Sequence, residues 1–198
     1  MKKVIRILIS FAMLFCLGLG TMAADASGVS KGFEIRDYSF NALRNEILKE
    51  NKVFARGNIK SIEVYDAGLS KFDDGLCRQS LIIVTKSASG TVSGTATDHW
   101  FRGPFTKGSP LADVSVTGNF KYDGKTASVS SSSYDYEILG DRDQVSFTKK
   151  SIKDTDGRTA KVDLKYSIQF NVLSDTETVT VKCSKDGDIT RVGQDELI

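Results

Sequence analysis

The chain has 198 residues with 27 basic and 25 acidic side chains, one histidine, one tryptophan and three cysteines. A single histidine excludes a metal centre built on two or three imidazoles, and the absence of a CxxC pair leaves structural zinc without ligands. The basic excess is N-terminal: Lys2, Lys3 and Arg6 precede the first acid, so residues 25–198 carry 24 basic against 25 acidic side chains, a balance that gives no footprint for nucleic acid.

Those three cations lead into an apolar run from Ile7 to Leu19 and then the small residues Thr21-Met22-Ala23-Ala24. This is the layout of a secretory signal peptide over residues 1–24, cleaved after Ala23 or Ala24. The run is shorter than the about 20 apolar residues of a spanning helix, so no membrane anchor is expected in the mature chain. Cys16 follows Met13-Leu14-Phe15, which lack the small residue of a lipoprotein processing site. The expected location is outside the cytoplasm, secreted or periplasmic. Loss of Cys16 with the signal leaves Cys77 and Cys183, and two thiols in an exported chain are expected to form a disulfide.

Residues 25–37 are small and polar, with Phe33 and Ile35 as the anchors available, and read as a loosely held mature N-terminus. Gly28-Val29-Ser30-Lys31-Gly32 matches GxSxG, but a nucleophile elbow needs a strand before it and a helix after it, and neither pattern is present. Residues 38–198 read as a single β-rich domain. Its helix opens at Ser39 or Asp37 and puts Phe40, Leu43, Ile47 and Leu48 on one stripe for about 13 residues. The Gly57-Asn58 pair supplies the stop. The polar face mixes signs, which fits a helix laid across a sheet better than one lying on a membrane.

Residues 59–64 alternate as a strand ended by Asp66-Ala67-Gly68, and Ser70 to Gly75 reads as loop. Leu81-Ile82-Ile83-Val84 is a strand buried on both faces or covered by the helix on one. The Ser/Gly-rich stretch from Ser87 to Gly94 is either a hairpin connection or a weak strand. From Thr97 to Pro110 the composition changes, because this segment holds the histidine, the tryptophan and both prolines. It reads as a strand end running into a long loop. His99, Trp100, Phe101, Arg102 and Phe105 form the candidate ligand-binding group, an aromatic platform beside an arginine that would stack on a sugar ring or grip a peptide. The competing reading has Trp100 and Phe101 packed down as a cap on the fold.

The chain is organised around the stretch from Val114 to Tyr136, where two alternating runs flank Asp123-Gly124, a hairpin signal of type I′. Further punctuation falls at residues 140–143, at Asp154-Thr155-Asp156-Gly157 and at Lys185-Asp186-Gly187-Asp188. The second of these is not read as a calcium loop, because Ile152 stands at its first position and its twelfth, Asp163, falls inside a strand. Val162, Leu164, Tyr166, Ile168, Phe170 and Val172 alternate strictly, so one face of that strand is core, and Val179, Val181 and Cys183 share an inward parity. No period of 20 to 50 residues repeats cleanly. The resulting fold class is mainly β with one helix: an antiparallel β-sandwich or open barrel with an N-terminal amphipathic helix packed on it.

The segment Val116-Thr117-Gly118-Asn119-Phe120-Lys121-Tyr122-Asp123-Gly124-Lys125-Thr126-Ala127, with the serine run before Tyr134 and the later strand through Cys183 to Asp186-Gly187, resembles small exported bacterial β-rich proteins of unassigned function. The resemblance covers about half the mature chain and implies a secreted β-rich domain. Nothing resembles GxxxxGK[ST], and no cofactor is expected. A Ser-His-Asp triad would have to use His99, and Asp98 beside it on a strand points to the opposite face. The expected function is a secreted, non-catalytic binding or interaction domain, with a structural cell-envelope protein and a small secreted hydrolase as the alternatives.

Overall fold

The computed structural model describes residues 35–54, 59–87, 90–140, 145–170 and 173–190. Among the described residues one α-helix, α1 (Phe40–Phe54), precedes nine strands: β1 (Ile59–Lys71), β2 (Leu76–Ser87), β3 (Thr91–Arg102), β4 (Ser109–Tyr122), β5 (Ala127–Ile138), β6 (Val145–Thr155), β7 (Thr159–Phe170), β8 (Leu173–Ser184) and β9 (Ile189–Thr190). Within each sheet, strands consecutive in sequence pair antiparallel, giving a five-stranded sheet β1-β2-β3-β4-β5 and a four-stranded sheet β6-β7-β8-β9. The fold is therefore mainly antiparallel β with a single helix among the described residues, in the expected class. None of the described helices is long and apolar enough to cross a membrane.

Period-two burial sorts the side chains into two cores. Ile82, Val84, Ala96, Trp100, Val114, Val116 and Phe120 face the second sheet, whose Val162, Leu164, Tyr166, Ile168, Val179 and Val181 close the space between the sheets. On the other side of the first sheet, Leu43 and Ile47 of α1 pack with Tyr38, Val64, Cys77, Leu81 and Phe101. The apolar run at residues 81–84 serves both cores in alternation, so β2 reads as continuously hydrophobic. The order of layers is helix, five-stranded sheet, four-stranded sheet.

Ser39 starts α1 as expected, its Oγ accepting from the Ala42 amide at 3.4 Å while its own amide donates to Asp37 Oδ1 at 2.8 Å. The proposed stop at Gly57-Asn58 lies outside the described residues. Asp66-Ala67-Gly68 does not end β1: the register shifts there and the strand continues to Lys71. Ala67 is the extra, unpaired residue of a bulge, followed by Gly68 at φ 105°, and Asp66 Oδ1 accepts from the Gly68 amide at 2.9 Å. The Asp123-Gly124 hairpin forms with four connecting residues instead of two, since Tyr122 pairs with Ala127. The Asp123 carboxylate accepts the amides of Lys125 and Thr126 at 2.9 and 2.7 Å, which replaces a two-residue turn by one built on a side chain.

The same turn recurs. Asp156-Gly157-Arg158-Thr159-Ala160 repeats Asp123-Gly124-Lys125-Thr126-Ala127 thirty-three positions later (156 − 123), and Asp156 Oδ1 likewise accepts the amides two and three residues on, at 3.0 and 2.6 Å. The two turns meet at one end of the molecule, where the Ala127 amide donates to the Gly157 carbonyl at 3.0 Å.

The start of the domain is held more tightly than its composition implies. Arg36 forms a two-way backbone bridge with Gly108, at 3.0 and 2.9 Å, and the Tyr38 amide donates to the Phe105 carbonyl at 2.6 Å. The expectation of a loosely held segment therefore does not extend to Arg36 and Asp37.

Candidate functional site

Residues 98–101 of β3 carry the densest chemistry in the chain, and strand geometry divides them between the two cores. Asp98 and Trp100 point between the sheets; His99 and Phe101 point toward the helix side. All four are buried, Trp100 and Phe101 completely and His99 to 2% exposure.

Between the sheets, Trp100 Nε1–H donates to the Tyr166 hydroxyl at 2.9 Å, and that hydroxyl donates to Asp98 Oδ2, also at 2.9 Å. Ser80 Oγ donates to Asp98 Oδ1. Arg78 lies over the Trp100 ring at 5.4 Å and the Phe72 ring at 5.7 Å, and reaches across to Glu177 of β8 at 2.5 Å. Burial, with the Asp98 charge second, holds the Tyr166 hydroxyl far above the ordinary phenol range, so it stays protonated and donates. Burial alone would lower Arg78, yet Asp98 and Glu177 leave it raised and charged. A carboxylate in an apolar layer is thereby met by two hydroxyl donors and a nearby guanidinium.

On the helix side, His99 Nδ1 lies 2.8 Å from Asp113 Oδ1, its cross-strand neighbour on β4, and not beside Asp98. Asp98 thus points away from His99, as strand parity requires. Tyr38 covers the pair, stacking on Phe101 at 4.3 Å and 3° and meeting the imidazole at 6.3 Å. Arg36 lies over the Tyr38 ring at 5.7 Å and pairs with Glu46 of α1 at 2.6 Å. Burial, followed by the Asp113 charge, raises the Tyr38 hydroxyl well above its usual value.

The expected platform is therefore not one surface. His99, Trp100 and Phe101 are divided by the sheet and buried, which is the cap arrangement; Arg102 is half-buried at the strand end, and Phe105 is 40% exposed on the turn Phe105–Lys107. The expected Cys77–Cys183 bridge is also overturned. Both thiols are free, Cys77 in the core under the helix and Cys183 between the sheets, with the five-stranded sheet intervening. Burial raises both thiols, Cys183 to about 12.

Tyr38, Arg78, Asp113, Tyr166 and Glu177 were not singled out as members of either cluster from sequence. One signal was legible: Asp98 sits at an inward position of β3 between Ala96 and Trp100, where a charge demands a buried partner. Among the described residues, no group of three His, Cys, Asp or Glu side chains is placed to hold a metal ion. No family model, curated protein or solved structure matches the chain.

Proposed function

We propose that the chain is an exported, non-catalytic interaction domain, with residues 1–24 directing export and the folded remainder acting by contact. The observation that supports this reading is the placement of the reactive side chains. His99, the one imidazole, is closed under Tyr38, and Asp98 has both oxygens engaged by Ser80 and Tyr166. General acid–base or nucleophilic chemistry needs such groups within hydrogen-bond reach of a substrate. Exposed large side chains, Tyr65, Tyr134, Tyr136 and Phe105, are of the kind that make contacts.

The test is turnover. The protein as exported by its cell is incubated with chromogenic esters, peptides and glycosides, beside a folded His99→Asn variant. No turnover above the blank is expected from either. Turnover by the parent that the variant loses, with its melting temperature unchanged, overturns the reading.

A further inference from the structure

We propose that the outer face of β3, β4 and β5 binds a neutral polyhydroxylated chain, a glycan without charged groups. The inference rests on the interaction-domain reading and names its surface and ligand class. Two rows cross the three strands: Ser93, Asn119 and Ser131, then Thr95, Thr117 and Ser133, each residue directly opposite the next. Their strand neighbours Ala96, Val116 and Phe120 are in the inter-sheet core, so these six side chains point outward. Thr95, Thr117, Asn119, Ser131 and Ser133 are part-exposed on this face, and Ser93, at 8% exposure, is buried at its inner margin. The helix residues Leu43 and Ile47 cluster with Val64 and Leu81 of β1 and β2, and Tyr38 covers the far end of β3 at His99 and Phe101.

All six carry a hydroxyl or an amide and none carries a charge, although 26% of the chain is Asp, Glu, Lys or Arg. Charges resume at the margins, with Asp135 opposite Ser115 in the next row and Lys121 beyond the other. The groups are ordered before any ligand arrives: Thr95 and Thr117 share a hydrogen bond of 2.9 Å between hydroxyls, and Asn119 Nδ2 donates to Ser131 Oγ at 2.9 Å. Strand spacing places such groups at intervals of about 4.8 Å across the sheet and about 6.7 Å along it.

This chemistry selects the partner. An apolar surface would strip water from the five part-exposed hydrogen-bonding groups and return nothing. A charged polymer finds no countercharge within the two rows. An extended peptide pairs through its backbone with a sheet edge, not with a face. A neutral sugar chain offers a donor and an acceptor on nearly every ring carbon and meets the rows group for group.

Affinity electrophoresis of the exported protein through gels containing a soluble neutral glucan, mannan or xylan, with polygalacturonate as the anionic comparator, tests this. Retardation by at least one neutral polymer is expected. The Thr95→Val/Thr117→Val variant keeps shape and β propensity and should weaken that binding on the order of tenfold, while Thr95→Ser/Thr117→Ser keeps it. Ser131→Lys, at the edge strand, provides a second variant and should also weaken it. The proposal is overturned by no retardation on any neutral polymer, by equal retardation of the Val and Ser variants, or by stronger binding to polygalacturonate. Each of these outcomes leaves the turnover test of the broader reading untouched.

Discussion

Trp100 and Tyr166, sixty-six positions apart in sequence, share the hydrogen bond that closes the inter-sheet network on Asp98. Neither residue is merely a large apolar filler, because each polar atom of the chain Trp100–Tyr166–Asp98–Ser80 is satisfied by the next. Tyr166→Phe keeps the ring and its packing but leaves the indole N–H and one carboxylate oxygen buried without their partner. Unsatisfied groups of this kind cost about 1–3 kcal/mol each, and more beside a charge, so the variant should lose roughly 2–4 kcal/mol in urea unfolding. Trp100, the one tryptophan, reports the same event by its emission. A loss under about 1 kcal/mol would show that the network adds little to the apolar packing around it. The sequence carried the burial of Tyr166 through strict alternation, but not its partners, because pairing across 66 positions leaves no local pattern.

At the scale of strands and turns, the strict alternation from Val162 to Phe170 predicts an inward face that is wholly buried, and β7 has it. Asp66-Ala67-Gly68 failed as a stop because Asp, a small residue and Gly serve a bulge as well as a turn, and neighbouring β2 decides between them. The aromatic platform does not form because the alternation along β3 that separates Asp98 from His99 also separates Trp100 from His99 and Phe101. Glycine turns give a test at this scale. Gly124 and Gly187 both have positive φ, 81° and 87°, but a Cβ on Gly124 meets nothing within 4 Å, whereas one on Gly187 falls 2.5–2.7 Å from the Tyr122 ring. Gly124→Ala should cost about 1–2 kcal/mol for the backbone alone. Gly187→Ala should cost about 1–3 kcal/mol more, because Tyr122 must leave its place against the β8–β9 turn. Equal melting temperatures for the two variants would show that the Tyr122 contact yields freely.

Over the whole molecule, the five-stranded sheet is the shared wall of two cores, and this makes the helix a structural layer of the domain. Leu43 and Ile47 are buried against Val64, Leu81 and Phe101, and the strands that carry those residues also carry Ile82, Ala96 and Trp100 on their other face. Loosening one core therefore tilts the side chains of the other, and the two should unfold in a single transition. Leu43→Ala removes a fully buried side chain from the helix layer and should cost about 2–5 kcal/mol. The informative quantity is where the loss registers. Trp100 emission reports the inter-sheet core on the far side of the sheet, and far-UV circular dichroism reports the strands and helix together. Both midpoints should fall by the same amount in Leu43→Ala and remain coincident. A helix layer that melts first, leaving Trp100 emission at the parent midpoint, would mean that the two sheets hold without it and that the sandwich alone is the folding unit.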